Sequence, residues 1–396
     1  MPARFPRALI LGLLLAAPGC RGSSGDDGDG GAASRRPSGS AIAGETPALH
    51  EENRHERTDA PPSKDHVVLL AGGDISFGRL VGRMLLRDPG LDFFSSLRPW
   101  MGSADVRFAN LEGPLSDQKG ETVKPGQPLV FTGPPEGAAA LARAGFGVVS
   151  TANNHAWDYG EPALLETLVH LDRAGIRHAG TGKDREEAWR PAVIDVGGFR
   201  VAVIAVTGIW NQGALSRHPA DAFVARADAD RIAEAVRGAR AGADAVVVSY
   251  HGGAEYTDEP LAGTRAMLHA AVDAGADVVI GHHPHVIQGV EWYGGRPILY
   301  SLGNLLMRMH RDHAWTELGY LARITLRRGG PPGVEACPFR IYGVEIRPFV
   351  GDRDRGAYER RFFDHLRAIS KGLGGVVVGE PGADGCARIE PAGAPG

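Results

Sequence analysis

The chemistry available to this chain sits in five short polar signatures: Gly73-Asp74, Asn110-Leu111-Glu112, Asn153-Asn154-His155, His251-Gly252-Gly253 and His283-Pro284-His285. In chain order they offer a carboxylate, a second carboxylate, an amide beside an imidazole, an imidazole, and two more imidazoles. A mixed oxygen and nitrogen donor set of this kind suits one or two divalent transition ions rather than calcium or magnesium alone. The three cysteines, Cys20, Cys337 and Cys386, make neither a disulfide framework nor a cysteine-rich zinc pattern. Any metal must therefore be held by His, Asp, Glu and Asn.

Each signature also has a plainer reading. Gly72 and Gly73 let the backbone turn sharply and approach an ion, which makes Asp74 a metal ligand; Asp is equally favoured as a helix cap. Arg79 can meet a phosphate or a carboxylate, or is a plain surface arginine. Glu112 carries two oxygens and can bridge two metals, or is a solvent-facing loop residue. Asn154 supplies a weak amide oxygen. Its neighbour His155 points elsewhere and can act as an acid or an electrostatic stabiliser, with Asp158 orienting the ring; an Asn-rich turn is the alternative. His251 alone reads as a polar cap and takes its weight from its company, with Glu255 and Tyr256 able to line the same mouth. In His282-His283-Pro284-His285, residues i and i+2 of an extended loop project to one side. That favours His283 and His285 as ligands and leaves His282 spare, in a register uncertain by one position.

The elements that must position these residues are legible as apolar runs. His66–Ala71, Val106–Ala109, Gly147–Ser150, Ala245–Ser249 and Asp277–Ile280 read as buried strands, each closing on one of the signatures. Ligands at the carboxyl ends of parallel strands converge on one edge of an α/β sheet. Helices are expected over Gly78–Arg87, Glu161–Ala174, Ala229–Ala241, Leu261–Ala274 and Ala357–Leu373. Gly197-Gly198 between Ala192–Ile194 and Val201–Val206 signals a hairpin. Pro297–Tyr300 is a strand running into Ser301-Leu302-Gly303-Asn304. Tyr320–Leu326 and Phe339–Ile346 are expected as sheet-edge strands. Strand–helix alternation with continuous Val, Ile and Leu predicts mixed sheets covered by helices.

The chain of 396 residues, with a formal net charge of −4, shows nothing that advertises nucleic acid binding, and nothing calls for a redox cofactor. Arg4 and Arg7, then the apolar Ala8–Ala17, then Gly19 before Cys20, predict a signal peptide. Leu15-Ala16-Ala17-Pro18-Gly19-Cys20 resembles an imperfect bacterial lipobox, which would lipidate Cys20 and anchor the protein to the membrane. Plain secretion or an uncleaved anchor are the alternatives, and all place the body outside the cytoplasm. There Cys337 and Cys386 either pair or stay free. The expected organisation is a signal peptide over 1–20, a polar tether over 21–64, one domain over 65–350, and a helix with a flexible tail over 351–396, where Gly375–Val378 is able to add a short strand.

Six runs carry a family resemblance: Gly-Asp-Ile-Ser-Phe-Gly-Arg at 73–79, Asn-Leu-Glu-Gly-Pro-Leu at 110–115, Ser-Thr-Ala-Asn-Asn-His-Ala-Trp-Asp-Tyr-Gly at 150–160, His-Gly-Gly-Ala-Glu-Tyr at 251–256, Gly-His-His-Pro-His-Val at 281–286 and Ser-Leu-Gly-Asn at 301–304. They resemble the CapA family of capsule and poly-γ-glutamate synthesis, a branch similar to the calcineurin-like metallophosphoesterases. The resemblance covers about 67–309. It implies a four-layer αββα sandwich with mixed sheets and a dinuclear site in the loops. By position it implies Asp74, Glu112, Asn154, His251, His283 and His285 as ligands to Mn, Fe or Zn, and His155 as the catalytic histidine beside Asp158 and Arg79. Three departures stand out: Ser76 where the superfamily has an imidazole, Glu112 where it usually has Asp, and Gly252 where the family often has Trp. They leave one metal or two open. The implied function is metal-dependent hydrolysis or transfer on an anionic capsule polymer such as poly-γ-glutamate, within a membrane synthesis and export complex. A non-catalytic polymer-binding or scaffold subunit and a secreted general phosphoesterase are the alternatives.

Overall fold

The structure, a computed structural model, describes residues 64–307, 309, 315–350 and 355–393. The expected signal peptide, its Cys20 and nearly all of the tether lie outside the described residues.

Two mixed sheets form the body. The ten-stranded sheet runs, in spatial order, Val376–Val378, Ala387–Pro391, Gly333–Tyr342, Leu318–Arg327, His66–Ile75, Val106–Leu111, Val148–Ser150 and Arg177–Ala179; Asn304–Leu306 also pairs with the strand His66–Ile75, and Glu345–Pro348 with Gly333–Tyr342. The six-stranded sheet runs Val290–Tyr293, Arg296–Leu299, Val278–His282, Ala245–His251, Phe199–Thr207 and Ala192–Val196. In both, the strands that carry the signatures are parallel neighbours. Ala192–Val196 and Phe199–Thr207 form the antiparallel hairpin expected around Gly197-Gly198.

The near-continuous apolar strands follow from burial on both faces. Alternate residues point opposite ways. Val67, Leu69, Ala71 and Phe108 of the larger sheet share an inter-sheet core with Val201, Val203, Val247 and Ile280 of the smaller one. The intervening residues Leu70, Ala109 and Val149 pack outward against Leu85, Leu141 and Leu171 on the helices Arg79–Arg87, Glu136–Ala144 and Gly160–Arg173. On the far side, Ile204, Val246, Val248 and Val279 pack against Ile232, Val236, Leu268 and Ala271 from the helices Ala229–Arg240 and Ala262–Asp273. Helices, sheet, sheet, helices: this is the four-layer αββα sandwich. Burying each large aliphatic side chain contributes about 1.5–3 kcal/mol, so the three cores fix the strand ends firmly.

Register then levels the signatures. Asp74 pairs with Asn110 and Asn304, and Asn110 with Ser150. In the smaller sheet Thr207, His251 and His282 stand in one row. Two glycines make the close approaches possible. A Cβ at Gly73 would collide with the Gly303 carbonyl oxygen, and one at Gly281 with that of Tyr300.

Two expectations need correction. Leu318–Arg327 and Gly333–Tyr342 are interior strands, not edges. The segment after Gly374, expected as a flexible tail with at most a short strand over Gly375–Val378, supplies two outer strands. Val378 pairs with Ile389, and Ala387 with Ala336. Ala387 and Ile389 are buried while Arg388 and Glu390 are exposed, a period-two pattern short enough to hide in a glycine- and proline-rich stretch. Phe339–Ile346 is also two strands, because Gly343 at φ 71° turns the chain back on itself.

Cys337 and Cys386 are bonded, across 49 residues of sequence, and tie this added edge to the interior strand. Closing a loop of that length is worth about 2–4 kcal/mol. Urea unfolding under reductant, or of Cys386→Ala, is expected to show that loss as a lower midpoint; superimposable curves would contradict it.

Candidate metal centre

The levelled strand ends bring the signatures into one cleft. Asp74 is fully buried at the end of its strand. Its Oδ1 accepts from Asn110 Nδ2 at 2.8 Å and its Oδ2 from the His283 backbone N–H at 3.2 Å. Glu112, one residue past Leu111, is also buried, and neither of its oxygens has a hydrogen-bond partner. His285 faces both carboxylates, with Nδ1 3.6 Å from Asp74 Oδ2 and Nε2 3.8 Å from Glu112 Oε1. One donor atom from each of Asp74, Glu112 and His285 lies within 4.8 Å of the others.

The amide and imidazole of the other half are engaged with each other. His251 Nε2 lies 2.8 Å from Asn154 Oδ1, and His251 Nδ1 lies 3.2 Å from Asn110 Nδ2. Asn110 can only donate there, so Nδ1 accepts and Nε2 carries the proton. Asn154 Nδ2 donates to Asn211 Oδ1 at 3.0 Å, which fixes the amide with its oxygen toward His251. The His251 and His283 rings are 4.9 Å apart. His283 Nδ1 is buried and unpartnered.

His155 stands at the edge of the same cleft. Its Nδ1 is 2.8 Å from Asp158 Oδ2, and its Nε2 is 3.8 Å from Glu112 Oε1. The Asp158 carboxylate also accepts the Phe131 N–H at 2.8 Å, and the Phe131 ring lies 4.2 Å from the imidazole. Arg79 stacks on the Phe131 ring, 4.5 Å from its centroid, and donates from Nε and Nη2 to the Pro128 carbonyl.

All nine expected site residues therefore gather in one region. His282, read as spare, is also buried there, with Nδ1 3.5 Å from Asp74 Oδ1. Its ring nitrogens have no hydrogen-bond partner. Four residues had no role in the sequence reading. Asn110 and Asn211 orient other donors, Asn304 Oδ1 lies 3.0 Å from His285 Nδ1, and Phe131 walls the cleft. Asn110 and Asn304 were visible as ends of quoted motifs. Asn211 and Phe131 carried no signal, since only the fold brings them near. Ser76, in the place of the missing imidazole, is turned into its loop and accepts the Gly78 N–H at 3.3 Å.

Electrostatics agree with the geometry. Burial holds the Asp74 carboxyl up, from its ordinary 3.8 to about 7, against the Asn110 and His283 hydrogen bonds that favour its charge. Glu112 is pushed up first by burial and then by the charges of Asp74 and Glu255. Burial lowers His282 and His285 to about 3 and His283 to about 4. Neutral imidazoles facing buried, unpartnered carboxylate oxygens are the donor set of a divalent transition cation. The residues fit such an ion.

Two packed sheets, helices outside, and a carboxylate–imidazole–amide cleft at the strand ends define an α/β sandwich protein with a candidate metal centre. Residues 68–309 match the family described as Bacterial capsule synthesis protein PGA_cap, and the chain belongs to that family. It is 30% identical to the capsule biosynthesis protein CapA of Bacillus anthracis, over 77% of this chain and 76% of that one. It is 30% identical to the PGA biosynthesis protein CapA of Bacillus subtilis, over 71% and 73%. A solved putative 5'-nucleotidase from Staphylococcus aureus aligns at 17% identity and a TM-score of 0.41, over 76% of this chain and 58% of its own. That likeness is too loose to say anything of activity.

A pH test of the centre follows. Asp74 titrates higher in the folded state, so its contribution to stability is full below 3.8 and lost as pH rises through about 7. The histidines titrate lower, so theirs is full above 6.5 and lost as pH falls toward 4 and 3. Above pH 6.5 only the carboxylate loss remains. With EDTA the melting temperature should fall from pH 6.5 to 8, whereas an ion at 100 times its Kd adds about 2.7 kcal/mol. Scanning fluorimetry with Mn²⁺ and with EDTA should show a gap that widens with pH; a gap that stays constant would count against the centre.

Proposed function

We propose that this protein acts in the bacterial cell envelope, in the synthesis or export of capsule or poly-γ-glutamate, as a metal-dependent hydrolase or transferase. The observation that carries the reading is Glu112: a buried carboxylate with no hydrogen-bond partner among the described residues, facing both His285 and His155. Asp74, Glu112 and His285, with Asn154, His251 and His283 beside them, would hold one or two ions, with Mn, Fe or Zn suited to the donors. Such an ion, when bound, polarises a phosphoryl or carbonyl oxygen and makes water more acidic.

The chain's own residues supply the rest. Asp158 Oδ2 accepts from His155 Nδ1, which leaves Nε2 as the nitrogen aimed at the cleft. That nitrogen holds a proton, or gives it to a leaving group. Phe131 packs on the imidazole and keeps water from its face. Arg79, stacked on Phe131 and within the field of Glu112 and Asp158, would offer its charge to an anionic substrate.

The Cys337–Cys386 bond supports an extracytoplasmic setting, where disulfides persist. Anchoring through a lipidated Cys20, with the tether up to residue 64 and a domain from 65 onward, completes the proposal; secretion is the alternative. Among the described residues no helix is long and apolar enough to cross a membrane.

The second reading is a polymer-binding or scaffold subunit of a membrane synthesis complex. The hydrogen bond that closes Asn154 on His251 favours it, because that pair is not poised for a second ion. Wild type and His155→Asn, assayed on phosphoesters and on poly-γ-glutamate, distinguish the two. On the enzymatic reading the substitution lowers kcat by about 10²–10⁴ while Mn²⁺ binding is unchanged. If wild type turns over none of these substrates, the scaffold reading replaces it.

A further inference from the structure

Besides His282, the cleft has a carboxylate that the ligand pattern does not use. Glu255 is exposed at the mouth. One of its carboxylate oxygens and one nitrogen from each of His283 and His285 lie within 4.8 Å of one another. The backbone sets this proximity. The Tyr256 N–H donates to the Pro284 carbonyl at 2.9 Å, which fastens the loop bearing Glu255 to the loop bearing the two histidines. His283 is one of this triad, and its Nδ1 is buried with no hydrogen-bond partner among the described residues.

His285 belongs to this triad and also to the triad with Asp74 and Glu112. Its Nδ1 faces Asn304 Oδ1 at 3.0 Å, and that oxygen can only accept. Nδ1 therefore carries the ring proton, and Nε2 is the nitrogen left for a cation. One lone pair serves one ion. The two triads thus describe a single position seen from two sides, with Asp74 and Glu112 on the larger sheet and Glu255 and His283 on loops of the smaller.

We propose that Glu255 is a ligand of the ion at His285, filling on the solvent side the place that Ser76 leaves without a donor. The proposal rests on the metal-centre reading above. It makes the ion one with three carboxylates and imidazole around it, a set suited to Mn²⁺ or Fe²⁺. Its mouth-side carboxylate would be the one an anionic substrate meets first.

The test is Mn²⁺ binding to the full chain after stripping with EDTA, read by titration calorimetry and by the electron paramagnetic resonance spectrum of the bound ion. Glu255→Gln keeps size and exposure while removing the charge. It is expected to weaken binding about tenfold or more and to change the spectrum. Glu259→Gln, exposed on the same segment, is expected to change neither. Equal affinity and an unchanged spectrum in Glu255→Gln would overturn the proposal and leave the centre standing. An equal loss in Glu259→Gln would overturn it too, by showing a general charge effect. Wild type that binds no Mn²⁺ would overturn the centre itself.

Discussion

Two carboxylates that solvent does not reach set the constraint on which this structure depends. Asp74 is wholly buried and Glu112 nearly so, and the oxygens of Glu112 meet no donor. Stripping a carboxylate of water costs several kcal/mol unless a charge or good hydrogen bonds replace the water. Among the described residues the replacement is partial: Asp74 accepts two hydrogen bonds and Glu112 none. Arg79 lowers the cost at Glu112 by its field, yet its guanidinium is spent on Phe131 and the Pro128 carbonyl. The imidazoles nearby are held neutral by their own burial. A proton or a bound cation would supply the compensation that Glu112 lacks among the described residues.

The rest of the fold can be understood as keeping that unfavourable arrangement from relaxing. A lone buried acid would swing toward water if its neighbours were soft. Here several of the donors are held by a second residue. Asn110 grips Asp74 and His251 together, Asn304 lies against His285, and Asp158 against His155. Below them the strand ends are clamped between three apolar cores. Gly73 and Gly281 let backbone carbonyls come closer than any side chain would permit. Such satisfied polar contacts add rigidity at the rim, where apolar packing ends.

How much of this was legible in the sequence depends on how local the signal is. The strands that end in Asp74, Asn110, His251 and His282 were readable because burial on both faces writes an unbroken apolar run. Their ligands were readable because each follows such a run directly. What could not be read is set by pairing between distant segments. Asn211 matters through a hydrogen bond to Asn154, 57 residues away. Phe131 sits on a short hairpin whose place over His155 no periodicity announces. Of the last strands, Val376–Val378 was readable as a short apolar run, while Ala387–Pro391 was missed for a related reason: it is too short to show a pattern above the glycines and prolines around it, and it is a strand because Gly333–Tyr342 offers an edge.

The two halves of the cleft are not equivalent, and this asymmetry bears on what the protein can do. On one side Asp74, Glu112 and His285 present open donors. On the other the His251 proton lies on the Asn154 oxygen, and Asn211 fixes that amide so that its oxygen cannot turn elsewhere. An ion held there would have to displace that hydrogen bond and shift a proton within a buried ring, whereas in the first half the two Glu112 oxygens have no hydrogen-bond partner among the described residues. Ser76 is turned away into its own loop, and the loops of the smaller sheet bring His283, His285 and Glu255 together at the cleft. The cleft is therefore built across both sheets, and it exists only where their loops meet.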